Sequence, residues 1–171
     1  LQKYINQYLS EDIAVTGVVA AGERFHSRLN ATGKTYEYHL IPYGTYDVFA
    51  RKYAWQMTEP LDIEAMREAA GHVLGSHDFR SFCTKAAKKK STIRTIRLLE
   101  IYETKNEIVI EITGNGFLYN MVRILVGTLV EVGMGLRKAD DIPTILEKKE
   151  RRYAGETAPA CGLFLKQIYY E

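Results

Sequence analysis

The run from Gly114 to Gly135 constrains this chain more than any other. Leu118, Met121, Val122, Leu125, Val126, Leu129 and Val132 recur at helical spacing, which predicts an amphipathic helix of several turns. Ile108 to Ile112 reads as a strand leading in, and Gly114-Asn115-Gly116 as the tight turn between strand and helix. Gly133 and Gly135 end the helix, where glycine adopts a left-handed backbone at little cost. Arg123 is the only ionisable residue in the helix middle. It falls off the apolar stripe, on a line with Tyr119, Asn120 and Gly127. A permanent cation so placed needs carboxylate, phosphate or water, because bare burial costs on the order of several kcal/mol. Spacing alone reads it as a surface arginine whose stem covers apolar neighbours.

With 171 residues, 46% of them apolar, the chain is long enough to bury a full core as a single domain over residues 1–171. The formal net charge is only +2. That excludes a strongly basic nucleic-acid binder, so any RNA contact must come from local patches. Two cysteines, Cys83 and Cys161, make neither a disulfide framework nor a metal spacing, and point to a reduced, cytoplasmic setting. There is no signal-peptide pattern and no apolar run of membrane-spanning length. The chain starts at Leu1, which is expected of a processed protein or a piece of a longer one.

Taken in order, Leu1 to Leu9 suits a short helix and Ile13 to Ala20 a strand. Lys34 to Ile41 alternates, with Tyr36, Tyr38 and Leu40 on one face of a half-buried strand. Tyr46 to Met57 is aromatic-rich and irregular. Leu61 to Leu74 is helical, with Asp62 and Glu64 in its first turn. Ile93 to Tyr102 and Glu107 to Thr113 alternate as paired antiparallel strands. Asp140 to Lys149 is a third helix, Arg151 to Pro159 a polar connector and Gly162 to Tyr169 a closing strand. Strands in pairs with helices between them predict an α+β fold: a mixed, largely antiparallel sheet with helices packed on one face. The other face would then be left for a ligand.

No common catalytic signature is present. His77-Asp78 has the residue types of an acid–base pair, but it reads better as a helix exit in which Asp78 bonds to nearby backbone while Phe79 and Phe82 pack inward. His26 and Cys83 lack evident partners and read as structural or surface residues. Tyr36 and Tyr38 share a face; a tyrosine on a sheet floor is either core or a stacking platform for an unstacked base. Lys85, Lys88, Lys89, Lys90, Arg94 and Arg97 form a basic group that is either a solvated loop or a phosphate track.

Five short motifs in register resemble the catalytic domain of the tRNA pseudouridine synthases that act on the anticodon arm. They are Phe25-His26-Ser27-Arg28; Ala31-Thr32 with Lys34-Thr35-Tyr36-Glu37-Tyr38; His77-Asp78-Phe79 with Ser81-Phe82; Gly116-Phe117 through Met121-Val122-Arg123 and Val126-Gly127; and Gly162-Leu163 with Leu165. The resemblance covers about Asp12 to Tyr169 and corresponds to the C-terminal part of such an enzyme.

The resemblance implies a pseudouridine synthase-like fold, isomerisation of uridine to pseudouridine in tRNA, no cofactor, no metal and a homodimer. It implies that Tyr36 stacks on the target uracil and helps move its proton, and that Arg123 pairs with a catalytic aspartate. Leu163, Leu165 and Phe117 would line the base site. The family's nucleophilic aspartate lies in a Gly-Arg-Thr-Asp-Ala-Gly motif, which does not occur here. The chain is therefore expected to be a fragment without its nucleophile, inactive alone. A non-catalytic RNA-binding or dimerisation module on the same fold is the alternative. The apolar stripes of the central and third helices are also compatible with a subunit interface.

Overall fold

The computed structural model describes residues 1–84 and 91–170. Residues 1–30 and the rest of the chain form two compact units. In the first, helix α1 (Gln2–Asn6) is followed by an extended segment with no strand pairing. Ile13 to Ala20, expected as a strand, therefore is not one. Its β-branched side chains favour a pleated surface, but that preference yields a strand only beside a partner ladder. Instead the segment is tied at Val15, whose N–H donates to Asn6 Oδ1 and whose carbonyl accepts from the Asn6 and Gln2 side chains. His26 is structural: its Nδ1 accepts from the backbone N–H groups of Arg28 and Leu29 and shapes the turn there.

The second unit is a six-stranded, mostly antiparallel sheet with helices on one face. Its elements are β1 (Ala31–Ile41), β2 (Trp55–Gln56), α2 (Ile63–Gly71), β3 (Gly75–Asp78), β4 (Ile93–Glu103), β5 (Ile108–Gly114), α3 (Met121–Gly133), α4 (Asp141–Lys148) and β6 (Leu163–Tyr170). The strand order is β2-β1-β5-β4-β3, with β6 also paired to β1; β1–β2 is parallel and the other pairings among the described residues are antiparallel. Register sets Tyr36 opposite Ile112, Tyr38 opposite Ile110 and Leu40 opposite Ile108, and continues to Leu99 and Ile101 on β4. These side chains face α2, α3 and α4 in one apolar core. A fully buried side chain of this kind contributes about 1.5–3 kcal/mol.

α3 starts later than its apolar period suggests. Leu118 lies in the preceding turn, its carbonyl accepting from Met121 N–H, and Asn120 caps the helix in a left-handed conformation at φ 61°. Asparagine tolerates that region better than most residues. Eleven of the thirteen α3 residues are buried, so the stripe that could have served a subunit interface is taken up by the chain's own core. The same holds for Ile142, Ile145 and Leu146 on α4.

The helix-free face is polar and internally paired. Lys166 Nζ reaches Glu37 and Glu111 at 2.8 and 2.7 Å. Its hydrogen bond is the chief cause holding the Glu37 carboxyl below its usual range. His39 Nδ1 lies 2.8 Å from Glu107, and the Thr35 hydroxyl bonds to those of Thr113 and Tyr169.

The segment expected as a polar connector is instead a strap along α3. Ala154 and Ala158 are buried. Gly155 N–H donates to Thr128 Oγ1, Glu156 N–H to Glu131 Oε1 and Ala158 N–H to the Arg123 carbonyl. Arg123, Gly127 and Glu131 are spaced by four and so share one side of the helix. Gly127 is required there, because a Cβ would fall 2.0 Å from the Glu156 carbonyl oxygen. Gly127→Ala should displace the strap and lower stability by about 1–3 kcal/mol in urea unfolding. An unchanged midpoint would mean that the strap yields freely.

His77 and Asp78 do not pair with each other. His77 Nε2 bonds to the Leu74 carbonyl, while Asp78 Oδ1 accepts from the Thr92 hydroxyl and Arg80 N–H. Phe79 and Phe82 are fully buried. Burial pushes the Asp78 carboxyl upward, but those hydrogen bonds, with Arg80 and Lys149 nearby, outweigh it and hold the carboxyl below its ordinary 3.8. A depressed folded-state value stabilises above the unfolded value, and that stabilisation is lost as pH falls through the folded one. Asp78→Asn should therefore cost about 1–2 kcal/mol at neutral pH. The difference from the parent should shrink below pH 3.8; a pH-independent difference would contradict this origin.

Candidate active site

The start of α3, the turn before it and strands β1 and β6 enclose a small cleft. It is lined by Tyr36, Phe117, Leu118, Asn120, Met121, Val122, Arg123 and Leu163. It opens on the helix-bearing side of the sheet, since Tyr36 shares a face with the core residue Tyr38; the helix-free face holds the ion-pair network instead. The space is about 110 Å³. That is small beside the pockets of about 300–1,000 Å³ that enclose whole small-molecule ligands. It suits one flat ring.

Tyr36 forms one wall. Its ring meets Phe117 edge to face, with centroids 5.2 Å apart and planes at 89°. Burial pushes its phenol above the usual range, so the neutral hydroxyl is the form present at physiological pH. Phe117 is presented by the turn after β5. That turn is pinned by Thr95, whose N–H donates to Asn115 Oδ1 and whose carbonyl accepts from Asn115 N–H. The Gly114-Asn115-Gly116 stretch is thus a turn held by protein partners.

Arg123 rises from the first turn of α3, half-buried rather than at the surface. Its Nε donates to the Ala158 carbonyl at 2.6 Å, and Nη1 approaches Asn120 Oδ1 at 3.5 Å. Asn120 in turn donates to Thr84 Oγ1 at 3.3 Å. Among the described residues no carboxylate lies within ion-pair distance of this guanidinium. One edge of the cation is fixed by a neutral carbonyl, and its charge is not cancelled. Such a group can orient and hold an anionic partner bidentately.

Leu163 lines the cleft from β6, opposite Tyr38 in the ladder. Leu165 sits opposite Tyr36 in the same ladder, is half exposed and does not line the cleft. Arg94 donates to the Ser91 and Ile93 carbonyls and lies against Gly116, beside the turn that carries Phe117. Arg97 is exposed and approaches Gly33 on β1. Lys85, Lys88, Lys89 and Lys90 lie outside the described residues. Sequence reading missed Asn120 and the strap. The signal for the strap was the small residues Ala154, Gly155 and Ala158 together with Gly127, a set able to approach a helix backbone closely.

Among the described residues no group of three or more His, Cys, Asp or Glu side chains is arranged to hold a metal ion, and no helix is long and apolar enough to cross a membrane. The sequence pattern of a family described as tRNA pseudouridine synthase matches residues 69–171. A protein named tRNA pseudouridine synthase A 1 from Bacillus cereus (strain ATCC 10987 / NRS 248) is 45% identical over 166 residues, covering 97% of this chain and 67% of the relative. A tRNA pseudouridine synthase A 2 from the same strain and one from Bacillus anthracis are each 43% identical over 170 residues, covering 99% of this chain and 69% of the relative. With a family pattern over more than half its length and relatives of this closeness, the chain belongs to the tRNA pseudouridine synthase family.

Proposed function

We propose that this chain builds much of the active site of an enzyme that converts uridine to pseudouridine in the anticodon stem-loop of tRNA. The observation that carries the reading is a phenol and an uncancelled guanidinium on the walls of one ring-sized cleft, in a chain of this family. The target uridine leaves the helical stack, at a cost of about a few kcal/mol. Its uracil enters beside the Tyr36 ring, with Phe117 edge-on behind and Leu163 across from it. Leu165, two residues further along β6, lies outside the cleft and would meet the nucleotide only beyond the base.

The reaction breaks the bond from ribose C1′ to uracil N1 and forms one from C1′ to C5. N1 takes up a proton and C5 loses one, so the change is an isomerisation that needs no oxidant, metal or cofactor. A carboxylate that engages the ribose or base divides the exchange into two easier steps. Arg123 holds that carboxylate ionised and aimed into the cleft. The Tyr36 hydroxyl, on the cleft wall, helps carry the proton from C5. The Gly-Arg-Thr-Asp-Ala-Gly motif does not occur in these 171 residues, and the relatives extend well beyond the matched region. On this reading the nucleophilic aspartate comes from sequence outside this chain, and residues 1–171 alone are inactive. Arg94, Arg97 and the lysines at 85, 88, 89 and 90 meet phosphates of the anticodon arm. The working form is a homodimer in the cytoplasm.

The full-length protein carrying this chain should release tritium from tRNA labelled at uracil C5, and residues 1–171 alone should not. Arg123→Ala should lower kcat by about a hundredfold or more, with KM changed only a few-fold, because the lost contact acts on the reacting groups. Release by residues 1–171 alone would place the nucleophile inside them. Failure of the full-length protein on every tRNA would favour the non-catalytic RNA-binding module.

A further inference from the structure

Tyr36 and Tyr38 stand two residues apart on one face of β1, yet only Tyr36 lines the cleft. Tyr38 is fully buried, and its hydroxyl donates to the Pro159 carbonyl at 2.6 Å. The neighbouring residue, Ala158, makes two contacts with Arg123: its N–H donates to the Arg123 carbonyl at 3.1 Å and its carbonyl accepts from Arg123 Nε at 2.6 Å. A buried phenol is thus anchored to the peptide that follows the acceptor of the guanidinium. Further back, the strap is fixed by Thr128 and Glu131, and Arg151 braces it from within through the Ala154 carbonyl and Thr157 Oγ1.

We propose that Tyr38 is a positioning residue for the reaction: by gripping the Pro159 carbonyl it locks the strap, and the locked Ala158 carbonyl sets the direction in which Arg123 presents its remaining N–H groups to the cleft. The proposal rests on the reading of Arg123 given above. The physical need is plain. An arginine side chain has several rotatable bonds and, at this place, no carboxylate among the described residues to orient it. Beside the long contact from Nη1 to Asn120 Oδ1 at 3.5 Å, the Ala158 carbonyl is the close acceptor, and it can hold the guanidinium plane only if it is itself immobile. Without the phenol, the Pro159 carbonyl loses its partner, and the strap there is held by the Ala158 N–H before it and the start of β6 at Leu163 after it, so the acceptor of Nε loosens. The phenol is fully buried, so water cannot replace the bond to Pro159 at little cost.

The test is Tyr38→Phe in the full-length protein, which keeps the ring and removes one hydroxyl. Turnover on tRNA should fall about tenfold in kcat with KM within about twofold, the size expected from loosening one buried hydrogen bond. In nuclear magnetic resonance the Arg123 Nε–H should exchange with water about tenfold faster or more. Against an Arg123→Lys background, which has no Nε–H to aim, the same change should alter kcat less than about twofold. Thr128→Val, which frees the Gly155 end of the strap, should reproduce the pattern if Tyr38→Phe proves too unstable to assay. Unchanged kcat and Nε–H protection would overturn the proposal, and so would an equal loss in both backgrounds, which marks general damage. If Arg123→Ala retains turnover while Tyr38→Phe still exposes the Nε–H, the positioning stands and the catalytic reading of Arg123 fails.

Discussion

The reciprocal pair between Ala158 and Arg123 is the contact on which the rest of this architecture depends. One residue of the strap gives its N–H to the helix backbone and its carbonyl to the side chain of the same arginine. The strap is thereby satisfied without a strand partner, and among the described residues the arginine is held without a counter-ion. A carboxylate in place of that carbonyl would orient the guanidinium as well but would cancel its charge. A neutral acceptor leaves the cation able to bind an anion in the cleft, and in a partly desolvated setting such charge-assisted contacts are among the stronger ones available to a protein.

The sheet makes this economy possible by separating two kinds of interaction onto two faces. On one, Ile108, Ile110, Ile112, Leu99 and Ile101 meet the helices and fix α3 at a set height. On the other, Lys166, Glu37, Glu111, Tyr102, His39 and Glu107 satisfy one another at the surface. Exposed pairs of this kind add little to stability individually. Their contribution is to keep the central strands in register while the apolar face does the folding. A one-residue slip of β1 would send Tyr36 to the charged face and bury Glu37 against α3.

Much of this was legible in the order of residues. The 3.6-residue period marks α3, the alternation marks β1, β4 and β5, and the face shared by Tyr36 and Tyr38 comes from the strand period alone. Asp78 was readable as a backbone-bonding residue because an aspartate just beyond a short helix commonly caps the next turn of chain. The features that were not legible depend on partners distant in the chain. Ile13 to Ala20 has strand composition and no neighbouring ladder. The environment of Arg123 is set by a carbonyl thirty-five residues away, and a carbonyl carries no side-chain signature. Composition made residues 151–159 look like a solvated connector, because Arg151, Arg152, Glu156 and Thr157 outweigh the small buried alanines between them.

The two tyrosines of β1 show why identity and face do not suffice to assign a role. Both are partly or wholly removed from water, both have phenols pushed upward by burial, and both point to the same side. They are separated by their height on the sheet relative to the first turn of α3. Tyr38 is level with the strap, so a carbonyl closes over its hydroxyl and the ring becomes core. Tyr36 is one step nearer the turn that carries Phe117 and Asn120, where the strap has ended and the cleft is open. The same residue type two positions apart is therefore scaffold in one case and wall of an open cleft in the other. The length of the strap, more than either side chain, draws the line between them.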